Sequence, residues 1–117
     1  DDDHKAAAWY SFNKYIKHKR FFYFENDQLS IIDEISDSKK KKSECKAAFH
    51  FSPGLHFSIN GNTIQLSFGE ITFSNAYKIE KKQYLHATEI NIQKEANMLL
   101  VYFHNKLSTN IKLNNEN

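Results

Sequence analysis

The sequence predicts an all-β protein, an antiparallel β-sandwich of about eight or nine short strands. Apolar and polar residues alternate with period two through most of the chain, as in strands whose successive side chains point to opposite faces. Turn signals recur at about 8–12-residue spacing, the rhythm of a sandwich. Aromatic residues make up 15% of the chain, with ten Phe and six Tyr, which excludes a disordered tail poor in such residues. At 117 residues the chain has the length of one domain and can bury a core without disulfides or metal. Residues 1–8 are set aside as a disordered or appended leader, and 9–117 are expected to form the domain.

Ala6 to Phe12 suits a short helix or a strand equally. From Tyr15 to Phe24 the period is two, with aromatic residues on both faces near the end. Glu25-Asn26-Asp27 signals a turn, and Leu29 to Ile35 returns as the second arm of a hairpin. Ser36 to Lys42, carrying four consecutive lysines, is a self-repelling loop. Cys45, Ala47, Phe49 and Phe51 alternate with Glu44, Lys46, Ala48 and His50 until Pro53-Gly54 ends the strand. Leu55, Phe57 and Ile59 lead to an Asn60-Gly61 hairpin turn, and Ile64, Leu66 and Phe68 return. Gly69-Glu70 turns again before Ile71 and Phe73. Further strands are expected at Tyr84 to Gln93, Asn97 to His104 and Thr109 to Leu113. A helix over Gln93 to Val101 is disfavoured, because the segment is short and has no clear cap.

The charge balance excludes some functions. Sixteen basic residues face fourteen acidic ones, a net of +2, too small to imply a nucleic-acid or membrane partner. Fifteen of the sixteen are Lys, and bidentate reading of guanine or phosphate favours Arg. No run of 18 apolar residues spans a bilayer. A lone cysteine, Cys45, excludes an internal disulfide and a thiolate zinc site. The six histidines show no metal-ligand spacing, so neither a metal nor another cofactor is expected. A small metal-dependent enzyme of the cupin type is disfavoured on the same ground.

Asp33 and Glu34 are consecutive on a strand and face opposite sides, so they cannot form the facing pair a glycosidase needs. Asp33 shares a face with Leu29, Ile31 and Ile35 and is expected to point inward, where Arg20 on the neighbouring strand would be its partner in a structural ion pair. No Gly-x-Ser-x-Gly elbow or phosphate-cradling glycine loop occurs. Aromatic residues near the start, Trp9 and Tyr10 among them, would stack on sugar rings if exposed.

Several segments, taken in order, resemble a known family. They are Trp9-Tyr10-Ser11-Phe12, His18-Lys19-Arg20 before an aromatic strand, and Leu29-Ser30-Ile31-Ile32-Asp33-Glu34-Ile35. Phe49-His50-Phe51-Ser52-Pro53-Gly54, Gly61-Asn62-Thr63-Ile64 and the closing Ser108-Thr109-Asn110-Ile111 follow. Together they resemble the C-terminal β-sandwich region of heparinase II/III-like polysaccharide lyases, which are linked to bacterial exopolysaccharides. The resemblance implies a non-catalytic domain of a periplasmic or secreted lyase that cleaves uronate-containing polysaccharides by β-elimination. The catalytic residues of such enzymes belong to an N-terminal domain and a His-rich segment. No His-x-His-x-Asp stretch stands ahead of Trp9, so none is carried over.

On this reading the chain supports the catalytic part and lines the glycan cleft, with Trp9, Tyr10, His18 and His50 as carbohydrate-contacting candidates. The partners implied are an acidic polysaccharide and the catalytic domain. Phe21 and Tyr23 are expected to be exposed where a partner is missing, which allows a homodimer. The alternative is a stand-alone carbohydrate-binding or structural module.

Overall fold

The computed structural model describes residues 5–11, 16–39, 44–89 and 92–114. Eight strands make one antiparallel sheet, and the described residues contain no helix. The strands are β1 (Lys5–Ser11), β2 (Ile16–Glu25), β3 (Gln28–Asp37), β4 (Glu44–His50), β5 (Ser58–Asn60), β6 (Thr63–Leu66), β7 (Gly69–Glu89) and β8 (Ile92–Leu113). Their order is β1-β2-β3-β8-β7-β6-β5, and β4 pairs with β8 beyond the end of β3. The all-β antiparallel class is as the alternation predicts. β1 starts at Lys5, inside the segment set aside as a leader, because Ala6–Ala8 pair their backbone with Phe22–Arg20.

Local chemistry accounts for the turns. Asn26 and Asp27 both adopt positive φ, 52° and 62°, the twist that a two-residue type I′ hairpin needs between β2 and β3. Ser52-Pro53-Gly54-Leu55 closes with the Leu55 N–H on the Ser52 carbonyl at 3.1 Å. Proline presets the first central position, and Gly54, at φ 86°, takes the left-handed second one. The β5–β6 loop falls on Gly61-Asn62, one residue later than expected, since Asn60 pairs with Thr63. Only Gly61 has positive φ there, which suits a type II′ turn with Gly first. The turn expected at Gly69-Glu70 falls instead at Ser67-Phe68, and Gly69 opens β7.

The largest departure concerns strand length. Ile71–Phe73 and Tyr84 onward lie in one 21-residue strand, while Asn97–His104 and Thr109–Leu113 lie in one of 22. Ordinary strands run about 3–10 residues. These two are bent instead of broken: register slips between Ser74 and Ala76 and again between Ala76 and Lys78. Asn75 (φ 72°) and Asn105 (φ 59°) occupy the left-handed region at the bend, which Asn enters at little cost. Asn105 Nδ2 then donates to the Ile35 carbonyl at 3.0 Å, tying the bend to β3.

The bend folds the sheet onto itself. Phe49 is opposite Leu99 and Phe73 is opposite Thr109, ten residues further along β8. A straight strand would separate those positions by about 33 Å, yet the two rings lie 5.4 Å apart. One arm, made of β4 and the adjoining halves of β7 and β8, therefore packs against the other, which holds β5, β6 and the remaining halves. The core lies between them, with Ile64, Leu99, Val101 and Leu107 fully buried beside Phe73 and Phe103. The two layers are arms of one hydrogen-bonded sheet.

β1, β2 and β3 extend the second arm sideways. Phe21 and Tyr23, expected to be exposed, are half-buried. On β2 the exposed ring is Phe24 instead.

Candidate functional site

Two clusters of polar side chains stand out, one on each face of the sheet. The inner one is built on cross-strand register. Arg20 is opposite Asp33, and Asp33 is opposite Leu107, so all three share the core-facing side. Asp33 is 4% exposed. Its Oδ1 accepts from Arg20 Nε at 2.5 Å and from His18 Nε2 at 2.8 Å. Removal from water demands such donors, because an unpaired buried carboxylate is strongly unfavourable. Two donors on a single oxygen hold the carboxylate in place and leave that oxygen little capacity for chemistry.

The arrangement reassigns His18. As a glycan-contacting candidate it should face outward, but it lies two residues from Arg20 on the same strand and shares its face. Its side chain is 16% exposed and is spent on Asp33.

The other candidates do not converge. Trp9 is opposite Lys19 and Tyr10 opposite His18 on the edge strand β1; their side chains lie outside the described residues. His50 ends β4 on the far arm, exposed, with its ring edge-on to Tyr84 at 4.9 Å. Tyr84 spans β8 to donate its hydroxyl to the Phe51 carbonyl at 2.7 Å. His50 and the β1 pair therefore belong to different parts of the molecule.

The outer cluster was not foreseen. It sits on the solvent face of the first arm, where β4, β8 and β7 lie side by side. Leu99, Val101 and Phe103 point into the core, so Tyr102 and His104 point out. The bulge between Ala76 and Lys78 adds Tyr77 to this face. Tyr77, 52% exposed, lies over the His104 ring at 4.6 Å with 16° between planes. Its centroid is 6.2 Å from that of Tyr102. His104 Nδ1 is shielded within this group and has no hydrogen-bond partner among the described residues.

Charge surrounds the rings. Lys78 and Lys46 place ammonium groups 5.2 and 6.0 Å from the Tyr102 centroid, within reach of the negative face of the ring. Tyr102 donates its hydroxyl to Glu80 Oε1 at 2.6 Å, and Lys78 Nζ is 3.7 Å from Glu80 Oε2. That hydrogen bond, more than the Lys78 and Lys82 charges, holds the Glu80 carboxyl below its ordinary range. The same bond, with some desolvation, pushes the Tyr102 phenol up.

The alternation of Leu99 to His104 was enough to assign Tyr102 and His104 outward. Tyr77 left no such signal, because its placement depends on a bulge. No group of three or more His, Cys, Asp or Glu among the described residues is arranged to hold a metal ion. Compared with known proteins, the chain matches no family and no curated sequence.

Proposed function

We propose that this chain is a non-catalytic β-sheet module that holds an acidic, uronate-bearing polysaccharide against the outer face at Tyr77, Tyr102 and His104. The observation that carries the reading is the exposed Tyr77 ring, stacked on His104 beside Tyr102, the ring over which Lys46 and Lys78 place their ammonium groups. An aromatic face receives the apolar C–H face of a sugar ring. The lysines over the neighbouring Tyr102 attract the uronate carboxylates, an attraction that salt weakens. On the family resemblance, the module would serve a heparinase II/III-like lyase whose N-terminal domain supplies the β-elimination chemistry.

Affinity electrophoresis tests the binding role. The chain should be retarded in gels containing a polyuronate and run freely in gels containing a neutral glucan. Tyr77→Ala should abolish the retardation while leaving the circular dichroism unchanged. Equal mobility in all gels would overturn the reading. The lyase connection is tested separately by immunoblot of source cells: a band several times larger than the chain supports it, and a band of the chain's own size favours a stand-alone module.

A further inference from the structure

Around the bend from Tyr77, the same outer face carries a second basic feature. Lys19 on β2, Glu34 on β3 and Lys106 on β8 occupy one cross-strand row, and Lys17 is opposite Ser36 in the next row. With neighbouring strands about 4.8 Å apart, Lys19 and Lys106 flank Glu34 at about 10 Å from each other. Together with Ile35 and Asn105 these residues line an open depression of about 410 Å³, a volume suited to a small ligand. Three lysines against one carboxylate leave it net positive.

Its position relates it to the aromatic cluster. Lys106 follows His104 by two residues on β8, with the bend residue Asn105 between them. Asn105 is tied to the Ile35 carbonyl and also lines the depression. The depression and the Tyr77 face therefore adjoin along one strand. Ammonium groups act as point charges and impose little ligand geometry, unlike the guanidinium fork. Such a site reads the spacing of charges on a polymer more than the outline of one sugar.

We propose that the Lys17–Lys19–Lys106 depression is a second subsite that binds carboxylates of the same acidic glycan. The glycan would then run across the outer face of β8 from Tyr77 to Lys106. The proposal rests on the glycan-binding reading above and adds the direction of the polymer and a dependence on its length.

The test compares wild type, Lys17→Gln/Lys106→Gln and Tyr77→Ala by titration with polygalacturonate and with a uronate disaccharide. Both lysines are exposed, so the double variant should fold normally, which circular dichroism would check. It should bind the polymer about tenfold more weakly, a loss of about 1.4 kcal/mol. Its log-log salt slope should be shallower, by at most about two for two lost cationic contacts. Its affinity for the disaccharide should match wild type, whereas Tyr77→Ala should weaken both. Wild-type affinity and salt slope in the double variant would overturn the second subsite and leave the Tyr77 reading standing. Wild-type protein that binds neither probe would overturn both.

Discussion

Two clusters, each built around one carboxylate, lie on opposite faces of this sheet. Asp33 faces the core and holds Arg20 and His18 on a single oxygen. Glu80 faces out and holds Tyr102 and Lys78. Inside, losing a partner leaves a charge that water cannot reach, so geometry is bound up with stability. Outside, water replaces whatever is removed, and an exposed ion pair contributes little. What the outer group retains is availability: rings and ammonium groups that a ligand can still contact. Burial, more than residue type, separates the stabilising cluster from the recognising one.

The comparison breaks most easily at Arg20. Arg20→Ala should cost about 2–3 kcal/mol in urea unfolding, at or below the low end of the range for orphaning a buried charge, because the Arg20 side chain is 36% exposed and His18 still donates to Asp33. A loss under about half a kcal/mol would place Asp33 in effective contact with water and erase the contrast. Arg20→Met/Asp33→Leu should lose less than Arg20→Ala, since an apolar pair leaves no buried charge behind.

Next in size is Gly69→Ala. A methyl group there would run into the Lys112 backbone of β8, and crowding of this kind costs about 1–3 kcal/mol. Chemical denaturation would measure it. A neutral result would mean that β7 and β8 can part locally at that end.

Tyr84→Phe should cost about 1 kcal/mol by removing the hydroxyl donated to Phe51. The glycan response of this variant should remain that of wild type, which keeps the loss of a structural tie distinct from the loss of the Tyr77 face.

The smallest effect is a pH dependence in the outer cluster. Glu80 has a lowered carboxyl in the fold, so its contribution is complete above the unfolded carboxylate value and disappears as pH falls through the folded one. Tyr102 has a raised phenol, so its contribution is complete below the unfolded phenol value and is lost as pH rises through the folded one. Tyr102→Phe should return the Glu80 titration, followed by carboxyl carbon NMR, toward the ordinary range. A Glu80 titration unchanged by that substitution would assign its shift to Lys78 and Lys82.

Much of the inner cluster was legible in the sequence. Strand alternation placed Asp33 with Ile31 and Ile35, and a hairpin at Asn26-Asp27 set Arg20 opposite it. His18 could have been added by the same alternation, being two residues from Arg20. The outer cluster was legible only in part. Tyr102 and His104 follow from the apolar period of Leu99, Val101 and Phe103, but Lys46 joins them only because β4 pairs with β8 at Lys46 and Tyr102. Tyr77 joins them only because a bulge shifts the register.

By itself, then, the sequence determined the all-β class, the inward face of β3 at Asp33 and the turns at Asn26-Asp27 and Pro53-Gly54. Those depend on side-chain period and on the φ preferences of a few adjacent residues. Tertiary structure alone decided that Ile71–Phe73 and Tyr84 share one strand and that the β7–β8 hairpin folds over at Asn75 and Asn105. An asparagine reads as a turn residue wherever it stands. Whether it ends a strand or bends one depends on whether partners exist on both sides, and here β6, β3 and β4 supply them from elsewhere in the chain.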